Sequence, residues 1–85
     1  MNWIISVPKN AEKQIRRFPK KEVARIREAI DKMEVDPYFG DIQKMSGYEN
    51  RWRRRVGSYR IKYEIDIYKG LVAIVEIKRR TSSTY

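Results

Sequence analysis

Nine residues, "YRIKYEIDI" (59–67), restrict this chain more than any other stretch. Tyr59, Ile61, Tyr63, Ile65 and Ile67 recur at every second position, with charged residues between them. That period belongs to a β-strand with one face buried and one face in water. The strand is preceded by Gly57-Ser58 and, before that, by "RWRRRV" (51–56). A two-residue connection opening on glycine suits a type II′ turn, so the two stretches form a β-hairpin. The turn also fixes the register. Val56 then faces Tyr59, Arg54 faces Ile61 and Trp52 faces Tyr63 on the apolar side. On the other side Arg55 faces Arg60, Arg53 faces Lys62 and Arg51 faces Glu64.

The rest of the chain supplies what this sheet packs against. "NWIISV" (2–7) is apolar and branched, and reads as a first strand. Ala11, Ile15 and Phe18 fall on one helical face, and after Pro19 the pattern restarts with Val23, Ile26, Ile30 and Met33 until Asp36-Pro37 ends it. Beyond the turn-rich "DPYFGD" come three strand-forming stretches: "IQKMS", the hairpin itself, and "LVAIVEIK", which is apolar on both faces and reads as a central strand. The predicted fold is α+β in the order β-α-α-β-β-β. An N-terminal strand and a helical hairpin pack on one face of a mainly antiparallel, four- to five-stranded sheet. With 85 residues, no internal repeat and no linker, residues 1–85 form one domain.

Charge then separates the chain into parts. The net charge is +9, yet only two short segments carry the excess. Arg51, Arg53, Arg54, Arg55, Arg60 and Lys62 form one, with no acid between Arg51 and Tyr63; Lys78, Arg79 and Arg80 form the other. Everywhere else acids and bases balance. Like charges directly opposite each other cost a hairpin up to ~1 kcal/mol per pair, and here two such pairs lie side by side. A single pair would be satisfied by stems splaying into water. Adjacent pairs, with Glu64 the one acid beside them, point to a polyanionic ligand, whose phosphate oxygens Arg grips bidentately. Because the basic segments are strands rather than an amphipathic helix, nucleic acid fits better than a lipid surface. Arg54 shares a face with Trp52 and Val56, so it belongs to the core's edge, snorkelling or paired with an acid. Trp3, Trp52 and Tyr63 read as core residues.

Composition excludes several chemistries. The chain has no cysteine and no histidine, which removes disulfides, thiolate metal sites and the usual acid–base residue near neutral pH. No metal and no small-molecule cofactor is expected. No apolar run approaches the ~20 residues that cross a bilayer, and residues 1–7 lack a signal-peptide pattern, so the expected location is cytoplasmic, without membrane attachment.

These residues carry a resemblance. The element order, the "FPKK" helix junction, "DPYFGD", the run W-R-x-R-V-G-x-Y-R-I-x-Y and the closing basic cluster with a tyrosine six residues on resemble the RelE/ParE toxin superfamily over essentially the whole chain. The resemblance implies a type II toxin restrained by a small RelB-like antitoxin. In the RelE branch such a toxin cuts mRNA in the ribosomal A site, halting translation and growth; in the ParE branch it poisons DNA gyrase. The RelE branch fits better, because the basic pair on the strand matches Arg53 and Arg55, the arginine after the turn matches Arg60, and the C-terminal arginine and tyrosine match Arg79 and Tyr85. By this resemblance those five are the catalytic candidates, with Arg51, Lys62, Lys78 and Arg80 as further RNA-binding residues. RNA carries its own nucleophile, the 2′-OH, so cleavage to a 2′,3′-cyclic phosphate needs charge stabilisation and a base but no metal. One departure matters. RelE has lysine at the paired strand positions, whereas Arg53 and Arg55 cannot lose a proton. The base is left open between Tyr85, Glu49 and a group of the nucleotide. A non-catalytic RNA-binding module would need the basic patch alone.

Overall fold

The computed structural model describes residues 2–79. The elements are β1 (Ile4–Ser6), α1 (Lys9–Arg16), α2 (Lys20–Met33), β2 (Ile42–Lys44), β3 (Arg51–Val56), β4 (Tyr59–Asp66) and β5 (Leu71–Arg79). They build one five-stranded sheet in the order β1-β5-β4-β3-β2. Strands β2 to β5 pair antiparallel, and β1 adds to β5 in parallel. The predicted α+β class therefore holds. "LVAIVEIK" is an interior strand, but β4 takes the middle of the sheet.

The hairpin register is the one the turn dictates: Val56↔Tyr59, Arg54↔Ile61 and Trp52↔Tyr63 alternate with Arg55↔Arg60, Arg53↔Lys62 and Arg51↔Glu64. Gly57 has φ +58°, while among the described residues none other than glycine has positive φ. Positive φ at the first turn position alone is the signature of a type II′ turn and matches the twist of the flanking strands. The alternation stops two residues short of the prediction. Ile65 is buried, but Asp66 ends the strand and Ile67 lies in the following turn, largely exposed. Likewise only Ile42–Lys44 of "IQKMS" pairs.

Both helices lie on one face. Pro19 occupies the N-cap of α2, where its missing N–H costs nothing and its ring ends α1. Ala11 and Ile15 from α1, and Ile26, Ala29, Ile30 and Met33 from α2, meet the inward residues of β4 and β5. The aromatic residues form the flanks: Phe18 stacks on Tyr59 with centroids 4.5 Å apart, and Tyr38 stands edge-on between Trp3 and Trp52 at 6.3 and 5.6 Å. Tyr63 is fully buried, and its hydroxyl donates to the Pro37 carbonyl at 2.7 Å. That bond ties the middle of the sheet to the loop after α2. Burial pushes the Tyr63 phenol up from 10.0 to about 12. Because the folded state holds this proton more tightly than the unfolded chain, its contribution is intact below pH 10 and is lost as pH rises towards 12. Urea titrations across that window should show the wild type losing stability more steeply than Tyr63→Phe.

The β4–β5 ladder contains one irregularity. Lys62 pairs with Glu76 but Tyr63 pairs with Ile74, so Val75 is an extra residue, a β-bulge. Beyond Ala73, β5 also has no β1 neighbour, which would leave backbone groups unpaired. Helix α1 supplies partners from one face, four residues apart: Gln14 Oε1 accepts from the Ile77 N–H at 2.8 Å, and Asn10 Nδ2 donates to the Val75 carbonyl at 3.4 Å.

Candidate nucleic-acid interface

The sheet face turned away from the helices is the one the hairpin register crowds with cations. Arg53 and Arg55 come from β3, Arg60 and Lys62 from β4, and Lys78 from β5, where it pairs opposite Arg60. Two adjoining depressions lie on this face. Asp41, Gln43, Arg53, Arg55 and Arg60 surround the smaller, about 150 Å³. Met45, Arg53, Arg60, Lys62, Glu76, Lys78 and Arg79 surround the larger, about 370 Å³, within the usual size range of ligand clefts. Arg53 and Arg60 are shared, so they stand at the centre of the combined site.

Two acids that the sequence pattern did not bring here flank the cluster. Asp41, just before β2, accepts from Arg55 Nε at 2.9 Å, and its own carbonyl accepts the Arg55 backbone N–H at 2.9 Å. Glu76 sits 3.3 Å from Lys62 Nζ and 3.7 Å from Lys78 Nζ through the same oxygen, Oε2. Glu64 is thus not the sole acid beside the patch. Both acids were missed for the same reason: each reaches the hairpin from a different element, and local sequence carries no sign of that approach. Their placement leaves the centre uncompensated. Among the described residues neither Arg53 nor Arg60 takes part in an ion pair, and Arg53 Nη2 donates to the neutral Gln43 Oε1 at 2.9 Å.

The remaining predicted site residues separate. Arg51 stands apart from both depressions, held by Glu64 Oε2 at 3.0 Å from its Nε and lying 4.5 Å over the Tyr48 ring. The Glu64 hydrogen bond raises the Arg51 pKa against the opposing effect of burial. Arg79 borders the larger depression, but it pairs opposite Tyr59, whose ring is in the core, so its side chain starts from the helix side of the sheet end. Lys78 is the β5 cation that faces the site directly. Arg80 and Tyr85 lie outside the described residues. Glu49 lies beyond the far end of the hairpin, beside Asn50, Asp66 and Tyr68, and does not border the basic site. Arg54 is half-buried on the helix side as expected, but among the described residues no acid pairs with it. Its Nε and Nη1 are hidden without a hydrogen-bond partner, and its guanidinium packs against Gly40, where an added Cβ would fall 2.8 Å from Cζ.

A helical hairpin on one sheet face and an arginine-centred cluster on the other agree with what sequence and fold comparisons show, a toxin of the RelE/ParE superfamily. The model of the family described as the ParE toxin of the type II toxin–antitoxin system parDE matches residues 5–83, and the chain belongs to that family. Among solved structures it is similar to the archaeal RelE–RelB complex from Pyrococcus horikoshii OT3, with 25% identity and a TM-score of 0.85 over 98% of this chain and 100% of that one. It shares its fold with a chain of the Mycobacterium tuberculosis toxin–antitoxin complex RelBE2, at 18% identity and a TM-score of 0.82 over 94% and 100% of the two chains. The fold also recurs in the YoeB dimer from Staphylococcus aureus, at 20% identity and 0.73 over the whole of both chains. No curated protein sequence matches the chain significantly.

Proposed function

We propose that this type II toxin is a ribosome-dependent mRNA endonuclease that cleaves at the 2′-OH and adjacent phosphate without a metal, and so stops translation. The observation that carries this reading is the uncompensated pair Arg53 and Arg60 at the centre of an open basic site. Placing like-charged strand neighbours together, with the nearby acids paired to other cations, costs folding energy. A phosphate repays that cost, because two guanidinium forks can take its equatorial oxygens as negative charge builds in the transition state. In this reading Arg60 and Arg53 stabilise that charge, and Arg79 and Tyr85 complete the site from the C-terminus. Arg55, Lys62, Lys78, Arg80 and, at a distance, Arg51 hold the flanking backbone. The ribosome supplies positioning, which adds to the charge stabilisation. It also places the work in the cytoplasm; among the described residues no helix is long and apolar enough to cross a membrane. A RelB-like antitoxin is the proposed restraint, as several similar solved structures are RelB–RelE complexes.

A second reading, a gyrase poison, is favoured by the family model itself, which is that of ParE. Primer extension on a translated message from induced cells separates the two. Codon-phased cuts, with purified gyrase still supercoiling DNA, are the expected result. Intact message together with trapped or inhibited gyrase overturns the nuclease reading. RNA binding with a steep salt dependence and no cleavage on ribosomes would leave only a binding module.

A further inference from the structure

The nuclease reading lacks a proton acceptor, and the site contains one that sequence alone did not suggest. We infer that Glu76 accepts the 2′-OH proton and that Lys78, two residues along the same strand, returns a proton to the departing 5′-oxygen. The inference rests on the nuclease reading and goes beyond it by assigning the two proton-transfer roles.

Three observations carry it. First, Glu76 is the one carboxylate among the described residues bordering the larger depression, and it shares that depression with Arg53, Arg60 and Lys78. The Val75 bulge directs it there, setting Glu76 opposite Lys62 and Lys78 opposite Arg60 on the outer face. Second, its two oxygens are differently engaged. Oε2 is hidden from solvent between Lys62 Nζ and Lys78 Nζ, at 3.3 and 3.7 Å, whereas Oε1 enters neither ion pair. One oxygen anchors the carboxylate and the other is available to accept a proton. Third, the other candidates among the described residues fail on position or chemistry. Asp41 borders only the smaller depression, apart from Lys78. Glu49 lies at the far end of the hairpin. Arginine cannot serve as a base, whereas a carboxylate accepts and an ammonium donates.

The step balances. The 2′-oxygen attacks phosphorus as its proton passes to Glu76 Oε1, forming the new P–O bond. The P–O5′ bond breaks, its electron pair goes to the 5′-oxygen, and Lys78 Nζ protonates that oxygen. The products are a 2′,3′-cyclic phosphate and a 5′-hydroxyl. Glu76 is left protonated and Lys78 neutral, and after product release solvent water takes the proton from Glu76 Oε1 and returns one to Lys78 Nζ, restoring both. Arg53 and Arg60 stabilise the phosphorane oxygens throughout.

The test is single-turnover cleavage of a synthetic message on programmed ribosomes. Glu76→Gln, nearly isosteric, is expected to cut ~10²- to 10⁴-fold more slowly, the usual worth of a positioned acid–base group, with ribosome affinity no weaker than that of the wild type. Lys78→Ala is expected to be slow on ordinary message but to recover when sulfur replaces the scissile 5′-oxygen, because a thiolate leaves without a proton. Glu76→Gln is not expected to recover on that substrate. Full-rate cleavage by Glu76→Gln while the wild type is active overturns this assignment alone. So does a fall in cleavage by Glu76→Gln that is matched by an equal fall in its ribosome affinity, which would make the carboxylate a group that only holds Lys62 and Lys78 in place. A wild type that cuts nothing overturns the nuclease reading, and this assignment with it.

Discussion

Arg60→Ala is expected to slow cleavage of translated mRNA by ~10²- to 10³-fold, the loss typical of removing one preorganised donor to a developing oxyanion. The same change should leave the folded state as stable as before, or more stable by up to ~1 kcal/mol, because it removes the like-charge pair with Arg55. Opposite signs for activity and stability are informative, since a residue kept for structure would lose both together. Arg60→Lys keeps the charge but not the bidentate fork, so it should fall between wild type and alanine. Codon-resolved primer extension and urea denaturation on the same preparations check both halves. Undiminished cleavage by Arg60→Ala would remove the central arginine pair from the mechanism.

The largest effect on stability is expected at Tyr63. Tyr63→Ala should cost ~3–5 kcal/mol, as aromatic truncation in a packed core does. It opens a void in the middle strand and leaves the Pro37 carbonyl without its donor. Against the ~5–15 kcal/mol available to a domain, that places the variant near the unfolding threshold. Tyr63→Phe keeps the packing and loses only the hydrogen bond, about 1–3 kcal/mol when the acceptor stays buried. The difference between the two urea midpoints measures the ring's packing apart from its hydroxyl.

The hairpin was legible because local chemistry determines it. Gly57-Ser58 and the alternation from Tyr59 give the register and, from it, the crowded outer face of Arg53, Arg55, Arg60 and Lys62. The helical hairpin was legible from Pro19 and the spacing of Ile15, Ile26, Ile30 and Met33. What escaped the sequence depends on contacts between distant elements. Asp41 and Glu76 reach the basic face only when β2 and β5 flank the hairpin, and Gln43 meets Arg53 for the same reason. Ile67 satisfies the strand period but falls after Asp66 has turned the chain, so a periodic residue ends up in solvent. Arg79 drew attention as a cation in the right segment, yet its facing depends on a bulge that periodicity could not reveal.

That bulge acts on β5 as a frameshift acts on a codon string. Upstream of Val75, Val72 and Ile74 point inward; downstream, Ile77 points inward although it stands an odd number of residues away. One supernumerary residue therefore exchanges the identities of the two cations that follow, giving Lys78 to the open face and starting Arg79 from the helix side. Asn10 and Gln14 fasten the frame in place from α1. Among relatives, a single insertion or deletion near this point would exchange inward and outward positions downstream without altering any side chain. Alignments that run through residue 75 without regard to pairing would then equate residues on opposite sides of the sheet. Strand pairing with β4, rather than distance from the C-terminus, is the coordinate in which such sites correspond.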